Sequence, residues 1–343
     1  TGKKLKMIVA SFPVVFFLTL LAMVVGGNKF LKDWGFETVI FSLLIGLFIS
    51  NIFSIPKWLK ESLSSELFVK IGLVLLGTTV LFDDLLKAGA LGLIQSCVVV
   101  FTVWNFCFWL CRKMKIDKEM SLMLSSAVSI CGVSAAVATA GAIKGDKTKL
   151  SYVVSLVLVV AVPMILIMPG LAKLMGLPED MAGAWIGGTI DTTGAVAATG
   201  AIYGEVALQT STIVKFSQNV LLGVAAFLIS IYWSYSKKEV TEEKPTLKVI
   251  WLRFPKFVLG FVAASLVFSF CVAPEVVSDA KPILKNIQGM WFALAFMSIG
   301  LETDFKSLIT SENRRSTYAF LGAQAFNVVF TLLVAWILFG LIA

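Results

Sequence analysis

Eleven apolar runs follow one another along this chain, at about 7–26, 36–54, 67–82, 88–111, 119–143, 149–174, 181–203, 206–236, 250–273, 286–302 and 316–342. A helix needs about 20 apolar residues to cross a bilayer, and inside the hydrocarbon every backbone group must be paired within the protein. A chain made of such runs folds as a helix bundle in lipid. Its 58% hydrophobic and 15% charged residues and its mean hydropathy of +0.91 exclude a soluble domain. The predicted fold is an all-α polytopic membrane protein of about eleven helices, a single transmembrane domain over residues 1–343 whose first partner is the lipid bilayer.

The net charge of +8 does not point to nucleic acid, because the basic residues stand between the apolar runs. They read as topology signals instead. With the N-terminus on the cytoplasmic side of the membrane, 20 of the 29 Lys and Arg fall in cytoplasmic segments, and the C-terminus lies outside. The loop 144–149 fits poorly, since it would place Lys144, Lys147 and Lys149 outside. The run from Met7 to Val25, about 19 residues, exceeds a signal-peptide core and is read as a retained span. There is no histidine, which removes the commonest general base and most zinc sites. The five cysteines contain no C-x-x-C pair and read as small core residues. No catalytic residues, cofactor or metal are expected, apart from Na⁺ as a coupling ion.

Gly183 to Glu205 (GAWIGGTIDTTGAVAATGAIYGE) carries one charge before its end, Asp191, among glycines and threonines. An ionisable residue within an apolar span marks a functional site by default. The tail of this stretch, Ala195 to Glu205, recurs 59 residues earlier as Ala136 to Asp146, with seven of eleven positions identical. Glycine and hydroxyl residues at Gly187–Thr189 and Thr192–Gly194 weaken the helix and supply oxygen ligands. Asp191 and Thr189 are therefore coupling-ion candidates for Na⁺ or H⁺. The alternatives are a structural ion pair between Asp191 and Lys215 or direct substrate contact. In the fifth run, Cys131-Gly132-Val133-Ser134 predicts a helix break that would offer backbone N–H groups to an anion or carbonyls to a cation. Lys215, Gln218 and Asn219 share a helix face. Together with Cys131, Gly132, Ser134, Thr192 and Thr193 they form the candidate substrate site. Glu302 and Thr303, at the end of the tenth run, are counted with the coupling-ion set because Gly300–Ile309 echoes Gly77–Leu86. Pro56–Glu66 reads as a short interfacial helix, Lys237–Lys248 as a polar linker, and Pro163 and Pro169 as kinks.

These motifs, GLVLLGTTVLFDDLL, CGVSAAVATAGAI, GGTIDTTGAVAATGAIYGE with STIVKFSQNVLLG, and SIGLETDF, resemble the YeiH-type family of bacterial inner-membrane proteins named for sulfate export. The likeness runs from about residue 36 to the C-terminus. It implies an architecture related to bile-acid symporters and cation/proton antiporters, with inverted repeats and crossed, interrupted helices. Residues 7–26 would then be an extra helix, with repeats over about 36–174 and 181–343 and spans five and ten as their fourth members. This chain departs from the family pattern in carrying Asp191 where histidine is common and Gln218 where arginine is common, so its pocket is less basic. The function expected is secondary transport of a small anionic solute by alternating access, coupled to Na⁺ or H⁺. A cation/proton antiporter is the alternative, with a channel or an aspartyl protease using Asp146 and Asp191 as distant ones. Monomer and homodimer are both left open.

Overall fold

The computed structural model describes residues 2–26, 38–53, 55–56, 58–59, 63, 65–80, 82–237, 256–302 and 314–342. Thr303, the linker after Lys237 and five of the eleven residues of Pro56–Glu66 lie outside them. Of the latter segment a single turn is described, with Leu59 buried and Trp58 half exposed. All regular structure among the described residues is helical, and a helical segment stands at each of the eleven apolar runs. Five of these segments are long and apolar enough to cross a membrane: Leu85–Lys113, Lys118–Ile143, Lys147–Leu174, Glu205–Trp233 and Arg314–Leu341.

The chain begins with α1 (Gly2–Gly26), α2 (Thr38–Ile52), α3 (Ser65–Leu76) and the long α4 (Phe82–Lys113). The fifth run is broken where the glycine and serine predict. Helix α5 (Lys118–Ser126) widens into a π turn (Ala127–Cys131), and α6 (Gly132–Ile143) starts at Gly132, whose φ of +21° is open chiefly to glycine. The two halves do not continue in line. Lys149, just after α6, bonds Asp117 at 2.7 Å and Glu119 at 3.3 Å, both at the start of α5. Ile143 packs in one cluster with Leu122. The fifth segment is therefore a helical hairpin whose two ends share one face of the molecule. Asp146 closes it by capping α7 (Lys147–Leu174), accepting from Thr148 N at 2.8 Å and Lys149 N at 2.9 Å.

The seventh run repeats this design from the opposite face. Helix α8 (Glu179–Thr189) ends at Ile190, Asp191 is non-helical, and α9 (Thr193–Tyr203) returns behind the N-cap of Thr192. The Tyr203 hydroxyl donates to Leu177 O, and the Glu179 carboxylate accepts from Val206 N at 2.9 Å. Both ends of this segment again lie together. Helix α10 (Glu205–Lys237) then runs the full depth, followed by α11 (Phe257–Leu266) with a π turn (Val267–Cys271), α12 (Pro274–Glu302) and α13 (Arg314–Ala335) with a terminal π turn (Trp336–Ile342).

Three sequence expectations change. Segments five and seven, counted among the eleven apolar runs, each double back instead of running straight through. The interruptions fall in segments five and seven, whereas segment ten is continuous from Pro274 to Glu302. Lys144, Lys147 and Lys149 join Arg112, Lys113, Lys115 and Lys118 at one face, here called the basic face, and this removes the misfit of loop 144–149. The 59-residue echo also gains an account: each copy is the returning arm of a hairpin plus the turn into the next long helix.

The helices divide into two groups. One contains α1, α2, α3, α11 and α12; the other contains α4 to α10 and α13. In the first group the echo between Gly77 and Gly300 is a matched pair of close crossings. A Cβ at Gly300 would meet Leu43 O at 2.6 Å, and Ser50 Oγ donates to Gly300 O at 2.9 Å. Gly77 lies as tightly against the backbone of Phe261, and Ser265 Oγ donates to Val80 O at 2.7 Å. Small residues at such crossings let helix backbones pack without a bulky side chain between them.

Candidate functional site

The two hairpin tips meet in the middle of the second group. A Cβ on Gly132 would lie 3.3 Å from Asp191 Cβ and 3.2 Å from Thr192 Cγ2, and Cys131 Sγ is 3.8 Å from Thr193 Oγ1. Four helix ends therefore converge: the carbonyl ends of α5 with its π turn and of α8, and the N–H ends of α6 and α9. Carbonyl ends carry partial negative charge and N–H ends partial positive charge.

The carbonyl ends are satisfied by side chains. Lys215 on α10 is 1% exposed, and its Nζ donates to Ile130 O at 2.8 Å, to Ile190 O at 2.8 Å and to Gln218 Oε1 at 2.9 Å. One ammonium thus bridges the two tips. Gln218 Nε2 donates to Gly188 O at 3.0 Å. From α13, Gln324 Nε2 reaches Thr189 O at 3.0 Å, and Asn327 Nδ2 reaches both Thr189 O at 3.1 Å and Val128 O at 3.2 Å. Thr331 Oγ1 holds Asn327 in place through its Oδ1 at 2.7 Å. Gln95 on α4 caps Ala184 O at 2.7 Å. Sequence reasoning found Lys215 and Gln218 but missed Gln95, Gln324 and Asn327. The available signal was three uncharged amides inside two apolar helices, one in α4 and two in α13, a pattern that buried packing also produces.

The N–H ends are left facing space. A cavity of about 650 Å³ is walled by Cys131, Val133, Ser134 and Val137 from the first hairpin, by Thr192 to Ala195 from the second, by Asn219 and Leu222, and by part of α7. Its other wall comes from the first helix group, through Val69, Phe257 and Ile299, and its mouth carries Ser65, Glu66, Lys70, Lys256 and Glu302. These mouth residues begin α3, precede α11 and end α12. The cavity thus lies between the two helix groups and opens toward one end of the bundle. The first turn of α6 has no side-chain cap; that of α9 has Thr192 Oγ1 accepting from Ala195 N at 3.2 Å. Asn219 Nδ2 donates to Thr193 Oγ1 at 3.2 Å, and its Oδ1 has no partner. Away from the cavity mouth, Lys285 of the first group pairs with Glu205 of the second at 2.5 Å.

Of the candidate residues, Cys131, Ser134, Thr192, Thr193, Asn219 and Glu302 line the cavity. Gly132 forms a tip, and Lys215 and Gln218 sit behind the tips. Asp191 and Thr189 are each 1% exposed and line no part of the cavity. Asp191 makes no ion pair with Lys215 within 4.0 Å among the described residues, and both its carboxylate oxygens lack a hydrogen-bond partner. Glu302 is separate from Asp191: it accepts from Ser65 Oγ at 2.8 Å at the mouth. Asp146 is a surface cap at the base of the first hairpin and does not face Asp191. Among the described residues no group of three or more Cys, Asp or Glu side chains is placed to hold a metal ion.

Residues 10–319 match the family model described as Conserved hypothetical protein 698. The chain is 39% identical to a UPF0324 membrane protein of Rhodopirellula baltica, over 99% of this chain and 65% of that one. It is 37% identical to one of Nitratidesulfovibrio vulgaris, over 99% of this chain and 61% of that one. A Bacillus anthracis relative is 25% identical, over 92% of each chain. The chain spans less than two thirds of the length of the first two relatives. No solved structure matches it. With its apolar helix bundle and a family match over most of its length, the chain is a multi-pass membrane protein that belongs to the Conserved hypothetical protein 698 family, whose relatives named here are UPF0324 membrane proteins.

Proposed function

We propose that the protein is a secondary active transporter that moves a small anionic solute by alternating access, coupled to Na⁺ or H⁺. The observation that carries this reading is the asymmetry of the tips. Their carbonyl ends are neutralised by Lys215, Gln218, Gln324 and Asn327, while their N–H ends, at Val133-Ser134 and Thr193-Gly194, border the 650 Å³ cavity. Helix N-termini exposed to a cavity at mid-depth are sites for anionic groups, and discontinuous helices serve transporters in this way. Ser134 and Thr193 hydroxyls and the Asn219 amide supply hydrogen bonds without adding charge. A neutral polar lining of this kind fits a singly charged organic or inorganic anion better than sulfate.

Alternating access needs two bodies that can move past each other with the site between them, and the cavity lies between the two helix groups. The mouth opens at the end where α12 finishes, while the Lys285–Glu205 pair ties the groups together elsewhere. If the basic face is cytoplasmic in the bacterial inner membrane, the N-terminus is inside and this arrangement is the inward-open one. The resemblance to the sulfate-export family is compatible with this reading and does not fix the solute. The test is uptake by proteoliposomes of a panel of inorganic anions and small carboxylates, under imposed Na⁺ or pH gradients. Accumulation of at least one anion that depends on either gradient is expected. Movement of cations alone would replace the reading with a cation/proton antiporter.

A further inference from the structure

We infer that a Na⁺ ion binds at the tip of the second hairpin, held by Asp191, Thr189 and Gln324, off the cavity and on the side of the tip that faces α13. The inference rests on the transport reading and identifies the ion that it couples. Four oxygens on these three side chains are buried without a partner: Asp191 Oδ1 and Oδ2, Thr189 Oγ1 and Gln324 Oε1. Buried polar atoms are nearly always paired, and a bare carboxylate is the costliest group to leave so. Thr189 and Asp191 lie on one turn of chain, and Gln324 reaches that turn from α13. Gln324 is fixed there by its own amide nitrogen, 3.0 Å from Thr189 O, so its free oxygen lies beside the tip. Thr189 and Asp191 flank Ile190. Gln95 brings a further unpaired oxygen to the same half-helix, where its Nε2 caps Ala184.

The unpaired atoms are all oxygens able to accept, the Thr189 hydroxyl being able to donate as well, and the nearby amide and ammonium donors are already used. Gln324 Nε2 is bound to Thr189 O, Asn327 Nδ2 to Thr189 O and Val128 O, and Lys215 to Ile130, Ile190 and Gln218. Hard cations take oxygen ligands of this kind. One carboxylate balances one positive charge, and the buried Lys215 ammonium close by disfavours a second, so the ion is monovalent. The tip also explains coupling. Thr192 and Thr193, which face the cavity, follow Asp191 directly, so an ion that orders Thr189–Asp191 orders the anion-facing N-terminus of α9 as well.

The test is the thermal stability of the full chain in detergent, titrated with NaCl, KCl or choline chloride at constant ionic strength and pH. Sodium should raise the apparent Tm by a few degrees in a saturable way, as a ligand specific to the folded state does, with little response to potassium or choline. Asp191→Asn and Gln324→Leu should each abolish the sodium response, whereas Glu302→Gln, at the cavity mouth, should keep it. Equilibrium binding of radioactive sodium to the unmodified protein gives the same answer should either variant fail to fold. Equal responses to all three salts, or a sodium response that persists in both variants, overturns the site. Anion uptake driven by a pH gradient without any sodium response leaves the transport reading standing and removes this one. A sodium response without uptake of any anion does the reverse.

Discussion

Replacing Lys215 by methionine tests the claim that one ammonium joins the two hairpin tips. The substitution keeps most of the side-chain volume and removes three hydrogen bonds, to Ile130 O, Ile190 O and Gln218 Oε1. Hydrogen bonds from a charged donor contribute about 1.5–3 kcal/mol each, so the gross loss is roughly 4–9 kcal/mol. Burying the ammonium costs several kcal/mol in desolvation, which the methionine avoids. The net destabilisation should therefore be about 2–4 kcal/mol, with the loss concentrated where the two carbonyl ends lose their shared charged donor and keep only the Asn327 amide between them. The assay is thermal unfolding in detergent together with hydrogen exchange. The apparent Tm should fall by several degrees, and amides near residues 128–134 and 188–195 should exchange faster than those of α4. A variant with unchanged Tm and unchanged exchange at both tips would refute the reasoning.

Gly132→Ala should also be destabilising, by about 1–3 kcal/mol, since its Cβ would come within 2.5 Å of Val157 Cγ1 at a φ that alanine rarely adopts; unfolding measurements check this. Cysteines introduced at Lys115 and at Lys147 should react with a membrane-impermeant thiol reagent from the same side of the membrane, because both ends of the first hairpin share a face; labelling from opposite sides would make residues 118–143 a crossing helix. Hydrogen bonds from Lys149 N and Thr148 N hold the Asp146 carboxyl below its usual range. Its stabilising effect is present above the unfolded carboxylate pKa, near 3.8, and is lost as pH falls through the lowered folded value. Asp146→Asn should flatten this acid limb in a pH series of unfolding temperatures.

The positions of the helical segments were legible because lipid demands long apolar runs, and the break at Cys131–Ser134 was legible because Gly132 and its small neighbours fail as helix formers. Helical spacing grouped Lys215, Gln218 and Asn219 as one set, but they divide in space: two face the carbonyl ends and one faces the cavity. The direction of the broken segments was not legible. An apolar run of 26 residues such as Lys118–Ile143 has the same hydropathy whether it crosses or doubles back. The misplaced Lys144, Lys147 and Lys149 were the visible trace of the hairpin. Gln95, Gln324 and Asn327 escaped notice because their role depends on carbonyls exposed by breaks elsewhere in the chain, a relation between segments that no local pattern carries. Glu302 was grouped with Asp191 on a weak echo, and the fold sets the two apart.

The central claim, that two helix N-termini make the cavity attractive to anions, can be read at Cys131, which lines it. With Cys97 and Cys271, the exposed cysteines, replaced by serine, modification of Cys131 by an anionic methanethiosulfonate should outpace modification by a cationic reagent of similar size by about tenfold, an effective field of roughly 1.4 kcal/mol. A transported anion should slow the reaction. Faster modification by the cationic reagent, with no protection by any anion, would contradict the account.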